Sequence, residues 1–153
     1  MHMIVATDGS KQSLAAARYA RQVIDPSSVT DVSVVAVLRP LAAVSFADDL
    51  SGSDRERAGV ESISFRAAAE SSVRVVAEVF ADWGPRVHRK IRSGSPANEL
   101  IKAARTLEAG LVVVASGSRG LSETVLLGST AQRVQHSAPC PVLVVRPTPR
   151  RKR

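Results

Sequence analysis

The chemistry this chain can offer is concentrated in three short polar segments. Thr7-Asp8-Gly9-Ser10 follows one apolar run, Ser116-Gly117-Ser118-Arg119-Gly120 follows another, and Gly128-Ser129-Thr130 comes shortly after. Small residues let backbone N–H groups approach an anion closely, and glycine reaches the positive φ that such cradles use. Serine and threonine hydroxyls add donors, and a helix opening beside them adds its unpaired N–H groups. The chemistry on offer is the holding of phosphate groups. A polar bend that only passes a buried strand to a helix has the same composition, so residue types alone leave both readings open. No lysine follows Gly128, so this is not a P-loop of the ordinary kind.

Other reactive side chains are less informative. Asp8 and Ser10 make no nucleophile pair, because no histidine base has a motif that brings it to them. His88 falls in an alternating segment and His136 at a helix end, where a protonated imidazole suits the dipole. Neither has a spaced histidine or carboxylate partner for a metal, so structural roles are expected. His2 is terminal and uninformative. The single cysteine, Cys140, sits between Pro139 and Pro141 and reads as a small buried thiol at a strand entrance. Arg119 either reaches a phosphate or stands solvated, and Asp48-Asp49 reads as a solvated acidic patch.

The elements that must position these segments follow from periodicity. Met3 to Ala6 is a short apolar strand. Ser10 or Asp8 then caps a helix carrying Leu14, Ala17 and Ala20, which ends near Ile24-Asp25-Pro26. Asp31 to Leu38 has the nearly continuous Val-rich character of a strand covered on both faces. Leu41 to about Asp54 lacks a period and reads as a long loop. A long helix is expected from about Arg55 to Ala81, with Val60, Ile63 and Ala67 on one face and Ala69, Val73, Val76 and Phe80 continuing the stripe. Val87, Arg89 and Ile91 alternate as a half-exposed strand. Ser95-Pro96 reads as a cap followed by proline at the first helical position, with Ala97, Leu100, Ile101, Ala104 and Leu107 turned inward. Leu111 to Ala115 is the next buried strand, about Thr124 to His136 the next helix, and Val142 to Val145 the last strand. Strands joined by helices run parallel with right-handed crossovers, so the expected fold is an open α/β parallel sheet with helices on both faces. Ligands in such sheets bind at the strands' carboxyl ends where the winding reverses. The first two polar bends line one crevice there if the first and fourth strands are neighbours.

Bulk properties bound the alternatives. The 153 residues fit one domain, taken as 1–147, with a basic tail at 148–153. The apolar share is carried by Ala and Val rather than aromatics, which favours helices packed on a sheet. No apolar run approaches a membrane span, and no signal segment opens the chain, so a cytoplasmic protein is expected. The net charge of +7 is partly the closing Arg150-Arg151-Lys152-Arg153, which reads as a mobile tail. The remaining excess looks scattered and lacks interleaved aromatics, so no specific nucleic-acid binding is expected, only loose adhesion of the tail to anionic polymers.

Three blocks carry a family resemblance: "IVATDGSKQS", "SGSPANELIKAARTLEAGLVVVAS" and "LLGSTAQRVQHSAPCPVLVVRP". Across essentially the whole chain, and in the same order, they resemble a universal stress protein. The resemblance implies a five-stranded sheet of order 3-2-1-4-5, similar to the adenine nucleotide alpha hydrolase-like folds, with strands one and four adjacent. It also implies a Gly-x2-Gly-x9-Gly-Ser/Thr pattern after strand four in members that bind ATP. Taking Gly117 and Gly120 as the first glycines leaves the run to Gly128 two residues short. Keeping the spacing assigns Ala115 and Ser118 to the glycine places, with residues 119–127 leading to Gly128-Ser129. The second register is preferred because it preserves the loop length and keeps Val112 to Ala115 in the strand. Alanine loses little where the backbone is extended, and Gly117 and Gly120 supply flexibility beside Ser118.

Carried over residue by residue, the resemblance implies a nucleotide site of Ala6, Asp8, Val37, Ala115, Ser118, Gly128, Ser129 and Thr130. Asp8 matches the aspartate near ribose and base, Ala6 the small slot before it, and Val37 an apolar position whose backbone faces an adenine edge. The implied ligand is ATP, with Mg2+ accompanying it. The implied partner is a second copy, a homodimer formed through the C-terminal edge strand Val142 to Val145, whose apolar faces invite pairing. The expected function is a regulatory or sensor dimer of the stress response, with nothing built for fast turnover. Two alternatives stand beside it. One is a ligand-free dimeric adaptor with a vestigial site. The other is a slow ATP hydrolase or autophosphorylating protein with Ser129 and Thr130 as acceptors, although no general base is evident.

Overall fold

Runs of valine set the frame. β1 (His2–Thr7), β2 (Asp31–Leu38) and β4 (Ala109–Ala115) are rich in β-branched residues, and their middles have no water contact on either face. The computed structural model describes residues 1–39, 52–117 and 128–147, the side chains of 52–63 excepted. β3 (Arg86–Ser93) and β5 (Val142–Val145) flank these three, giving a five-stranded sheet of order β3-β2-β1-β4-β5. All four pairings are parallel. The order expected from the resemblance is the observed one, and the winding reverses between β1 and β4.

Helices cover both faces. α1 (Lys11–Val23) and α2 (Gly52–Glu78) lie on one, where Met3, Val5, Val32, Val34 and Val113 meet Ala17, Ala20, Val73, Val76 and Phe80. α3 (Pro96–Thr106) and α4 (Ser129–Ser137) lie on the other, where Ile4, Val35, Val112 and Val114 meet Leu100, Ala104 and Val134. The small alanines on α1 and α3 let these helices sit close to the sheet. Fully burying one valine is worth roughly 1.5 kcal/mol or more, so the two layers together dominate the stability.

Several local expectations change. Within α2 the stripe of Ala69, Val73, Val76 and Phe80 is buried as expected, but Ala67 is exposed. Val60 and Ile63 have undescribed side chains, and Leu41 to Ser51 and 148–153 lie outside the described residues. The structure gives Gly52 to Asp54 to α2 rather than to the preceding loop. Ser95 precedes α3 with Pro96 in its first turn, yet its side chain makes no capping hydrogen bond. α4 begins at Ser129, not near Thr124, because Gly128 is its N-cap with a non-helical ψ of 150°. Cys140 is half-buried rather than fully enclosed, and burial pushes its thiol pKa up, which keeps it protonated.

Candidate functional site

The bend after β1 is held by hydroxyls. Thr7 is buried, and its Oγ1 lies 3.0 Å from Ser13 Oγ and 2.7 Å from Ser72 Oγ, while the Gly9 N–H donates to it at 3.2 Å. One threonine thus ties the bend to both α1 and α2. Gly9 turns the chain at φ +80°, a conformation costly for residues with a Cβ. Ser10 caps α1 by accepting from the Ser13 N–H at 3.1 Å. Asp8 is exposed, and its Oδ1 accepts from the Ser10 N–H at 2.9 Å. Burial of neighbouring atoms pushes the Asp8 carboxyl up, but hydrogen bonds from Ser10 and Ser13 outweigh it and leave the pKa lowered. Asp8 is therefore a carboxylate at neutral pH.

The bend after β4 closes on itself. Ser116 donates its N–H to the Val145 carbonyl at 3.0 Å and accepts from the Gly128 N–H at 2.5 Å. Gly117 has φ +100°, and a Cβ there would meet Gly128 Cα at 3.1 Å. A Cβ on Gly128 would meet Ser116 O at 3.2 Å and Gly117 Cα at 3.4 Å. The chain leaves and re-enters this point with two glycine backbones in contact, which explains why both lack side chains. Gly128 offers α4 no side-chain cap, so among the described residues no N-cap side chain meets the first N–H groups of that helix. Ser116 Oγ is also buried, with no hydrogen-bond partner among the described residues.

These two bends face each other across one cavity of about 690 Å³. It is lined by Ala6, Asp8, Val37, Ala115, Gly128, Ser129 and Thr130, which brings together every expected site residue among those described. Ser118 and Arg119 lie outside the described residues. Ala115 is extended at the end of β4, the conformation in which alanine can stand for glycine at little cost. Thr7 and Ser10, from the first polar segment, also line the cavity, as do Arg39, Leu100 and Ser13, which the sequence did not single out as site residues. Arg39 directly follows β2, and Ser72 reaches Thr7 from a distant helix. Ser13 had a local signal, lying three residues after the capping Ser10.

The lining is chemically mixed. Val35, Val37 and Ala6 are apolar, whereas Arg39 and the first residues of α4, Ser129 and Thr130, are of donor-bearing types. That pairing suits a flat apolar group joined to an anion. Asp8 is the carboxylate on this lining, and among the described residues no group of three or more His, Cys, Asp or Glu could hold a metal ion. A magnesium ion here would need phosphate oxygens to complete its shell.

At the sheet's amino end, two histidines have partners that the sequence did not reveal. His88 Nε2 lies 2.9 Å from Asp31 Oδ1, and His2 Nε2 lies 2.8 Å from Ser33 Oγ. Parallel pairing of β2 with β3 sets Asp31 beside Arg86 and Ser33 beside His88, so these contacts follow from register rather than sequence proximity.

Fold, bends and sequence agree with the comparisons. A model of the Universal stress protein family matches residues 1–146, and the chain belongs to that family. A universal stress protein of Methanocaldococcus jannaschii is 32% identical over 149 residues, covering 94% of this chain and 81% of that protein. Among solved structures, the universal stress protein UspA from Lactobacillus plantarum superposes with a TM-score of 0.76 at 21% identity, covering 95% of this chain and 97% of that one. A universal stress protein solved in complex with cAMP gives 0.67 at 23% identity, covering 95% and 96%. Among the described residues, no helix is long and apolar enough to cross a membrane.

Proposed function

We propose that this protein is a stress-response regulator whose crevice binds an adenine nucleotide, ATP with Mg2+, and which acts as a dimer through β5. The observation that carries the nucleotide reading is the cavity between the bends after β1 and β4, whose lining mixes apolar and donor-bearing residues. Its volume is in the range of small-ligand sites, on the order of 300–1,000 Å³. In this reading the base lies against Val37 and Ala6, the ribose near Asp8, and the phosphates at Gly128, Ser129 and Thr130. The N-terminal end of α4 and Arg39 neutralise the anion, and Asp8, already an acceptor, receives a ribose hydroxyl. Ser118 would add a hydroxyl donor. The cAMP complex of a similar fold supports an adenine ligand without deciding the phosphate number. The output is a change of shape or partner, since Asp8, the carboxylate among the described lining residues, has a lowered pKa and is a weak base.

Calorimetry with Mg-ATP, and mass spectrometry of small molecules released from the denatured protein, test the reading. Heat on titration or co-purified nucleotide is expected. No heat at millimolar nucleotide would leave the ligand-free adaptor as the better account. Gly128→Val should weaken binding at least about tenfold, because the added side chain enters the contact with Ser116 and Gly117. Unchanged affinity would show that the phosphates lie elsewhere. Hydrolysis abolished by Asp8→Ala would favour the slow hydrolase.

A further inference from the structure

β3 is one border of the sheet, and one of its faces carries Arg86, Lys90 and Arg92, with His88 between the first two. Alternate residues share a face, so these four stand in a row about 7 Å apart. Two carboxylates temper the row. Asp31 lies 3.1 Å from Arg86 and 2.9 Å from His88, and Glu99 lies 2.9 Å from Arg92. Lys90, and Arg89 on the opposite face, have no acidic partner among the described residues. Four of the chain's 21 Lys and Arg residues fall on this one strand.

The backbone of β3 has a free side as well. The Arg86 N–H donates to the Thr30 carbonyl at 3.1 Å and the Gly94 N–H to the Leu38 carbonyl at 2.9 Å. Even-numbered residues therefore turn their backbone groups toward β2, and Val87, Arg89, Ile91 and Ser93 turn theirs away from the sheet. Among the described residues no other strand pairs with that side.

We propose that β3 is a docking edge for an extended acidic segment of a partner protein, added as a sixth strand. Such a segment would use both features at once. Its backbone would bond to the outward groups of Arg89 and Ile91, and its acidic side chains would stand opposite Arg86, Lys90 and Arg92. A nucleic acid would use the cations but leave the backbone edge unpaired. A second copy of this chain would set cations against cations. The peptide is the occupant that satisfies the whole edge.

The test is fluorescence anisotropy with a labelled octapeptide of alternating Glu and Thr, at low salt and on the full chain. Binding is expected, weakening as salt rises. Arg86→Glu with Lys90→Glu should weaken it at least about tenfold. Arg89→Pro removes an outward N–H while sparing the β2 ladder, so it should weaken binding more than Arg89→Ala does. Circular dichroism checks that each variant is folded, and the peptide arm holds whatever they show. A peptide of equal charge with proline at its centre should not bind. Absence of binding by the alternating peptide would overturn the proposal, and the cations would then only guard the edge. Equal binding by the proline peptide, or by an oligothymidylate of the same charge, would also overturn it, in favour of a patch that attracts any polyanion.

Discussion

The two borders of this sheet solve the same problem in opposite ways. β3 spans Arg86–Ser93 and carries Arg86, Arg89, Lys90 and Arg92, whereas β5 spans only Val142–Val145 and carries no charged residue. Among the described residues, no strand pairs with the outer side of either. Yet β5 is half-buried along its whole length and flanked by Pro141 and Pro147, while β3 exposes Arg86 at 78% of its side chain. An apolar border favours a copy of itself, and a cationic border repels one. In the proposed assembly, self-association and partner choice fall on opposite edges of one sheet, away from the crevice between β1 and β4.

The largest expected effect comes from breaking the apolar border. In the proposed dimer a carboxylate at position 144 would be buried without a partner, which costs about 3 kcal/mol or more, over a hundredfold in dissociation constant. Val144→Asp should therefore run at half the native mass in sedimentation equilibrium while keeping its nucleotide affinity. If the unaltered protein is itself monomeric, β5 is not the dimer edge, and the contrast between the borders loses one half.

The alternation of strands and helices was legible because Val-rich runs such as Asp31 to Leu38 are punctuated by Pro26, Pro40 and Gly84. The order of the strands was not, since periodicity says nothing about neighbours; that came from the resemblance. The start of α4 was misread because the apolar run before Gly128 looks helical, whereas Gly128 itself holds a ψ of 150°. The two bends that line the cavity were legible from small polar residues after strands, whereas Ala6, Val37 and Ala115 were named only through the resemblance. The Thr7–Ser72 and Asp31–His88 contacts were not, because each joins residues from distant elements and depends on packing or register. The same holds for the cationic row, which becomes visible as one surface only when β3 is an edge.

A smaller effect is expected where the cationic border is anchored. The hydrogen bond with His88 is the main influence that pushes the Asp31 carboxyl down to about 2, with Thr30 and the Arg86 guanidinium adding to it against a small burial effect. A carboxyl more acidic in the folded chain stabilises it above the unfolded pKa and loses that stabilisation as pH falls toward the folded value. Asp31→Asn should thus be less stable than the native protein near neutral pH, with the gap closing between about pH 4 and pH 2. Urea denaturation of both proteins at several pH values measures the gap. A gap independent of pH would mean that Asp31 supports β3 by shape alone.

The smallest expected effect lies at His2, the residue linking the cationic border to the middle of the sheet. Its ring centroid is 6.1 Å from that of His88, and its Nε2 meets Ser33 Oγ. Burial is the main influence holding its pKa below the usual histidine range. The Asp31 carboxylate pulls it back up, and His88, Lys90 and the chain's amino terminus push it down. A base made less basic by folding leaves the unfolded chain with more protons, so stability rises with pH between the folded value and about 6.5. His2→Gln should remove that slope, and NMR titration should give His2 a midpoint below that of a free histidine. Lys90→Gln should then move the midpoint upward, because it removes one of the positive charges facing the ring. A midpoint indifferent to Lys90 would mean that the field of β3 does not reach β1, and the border would act on what lies outside the sheet rather than on its interior.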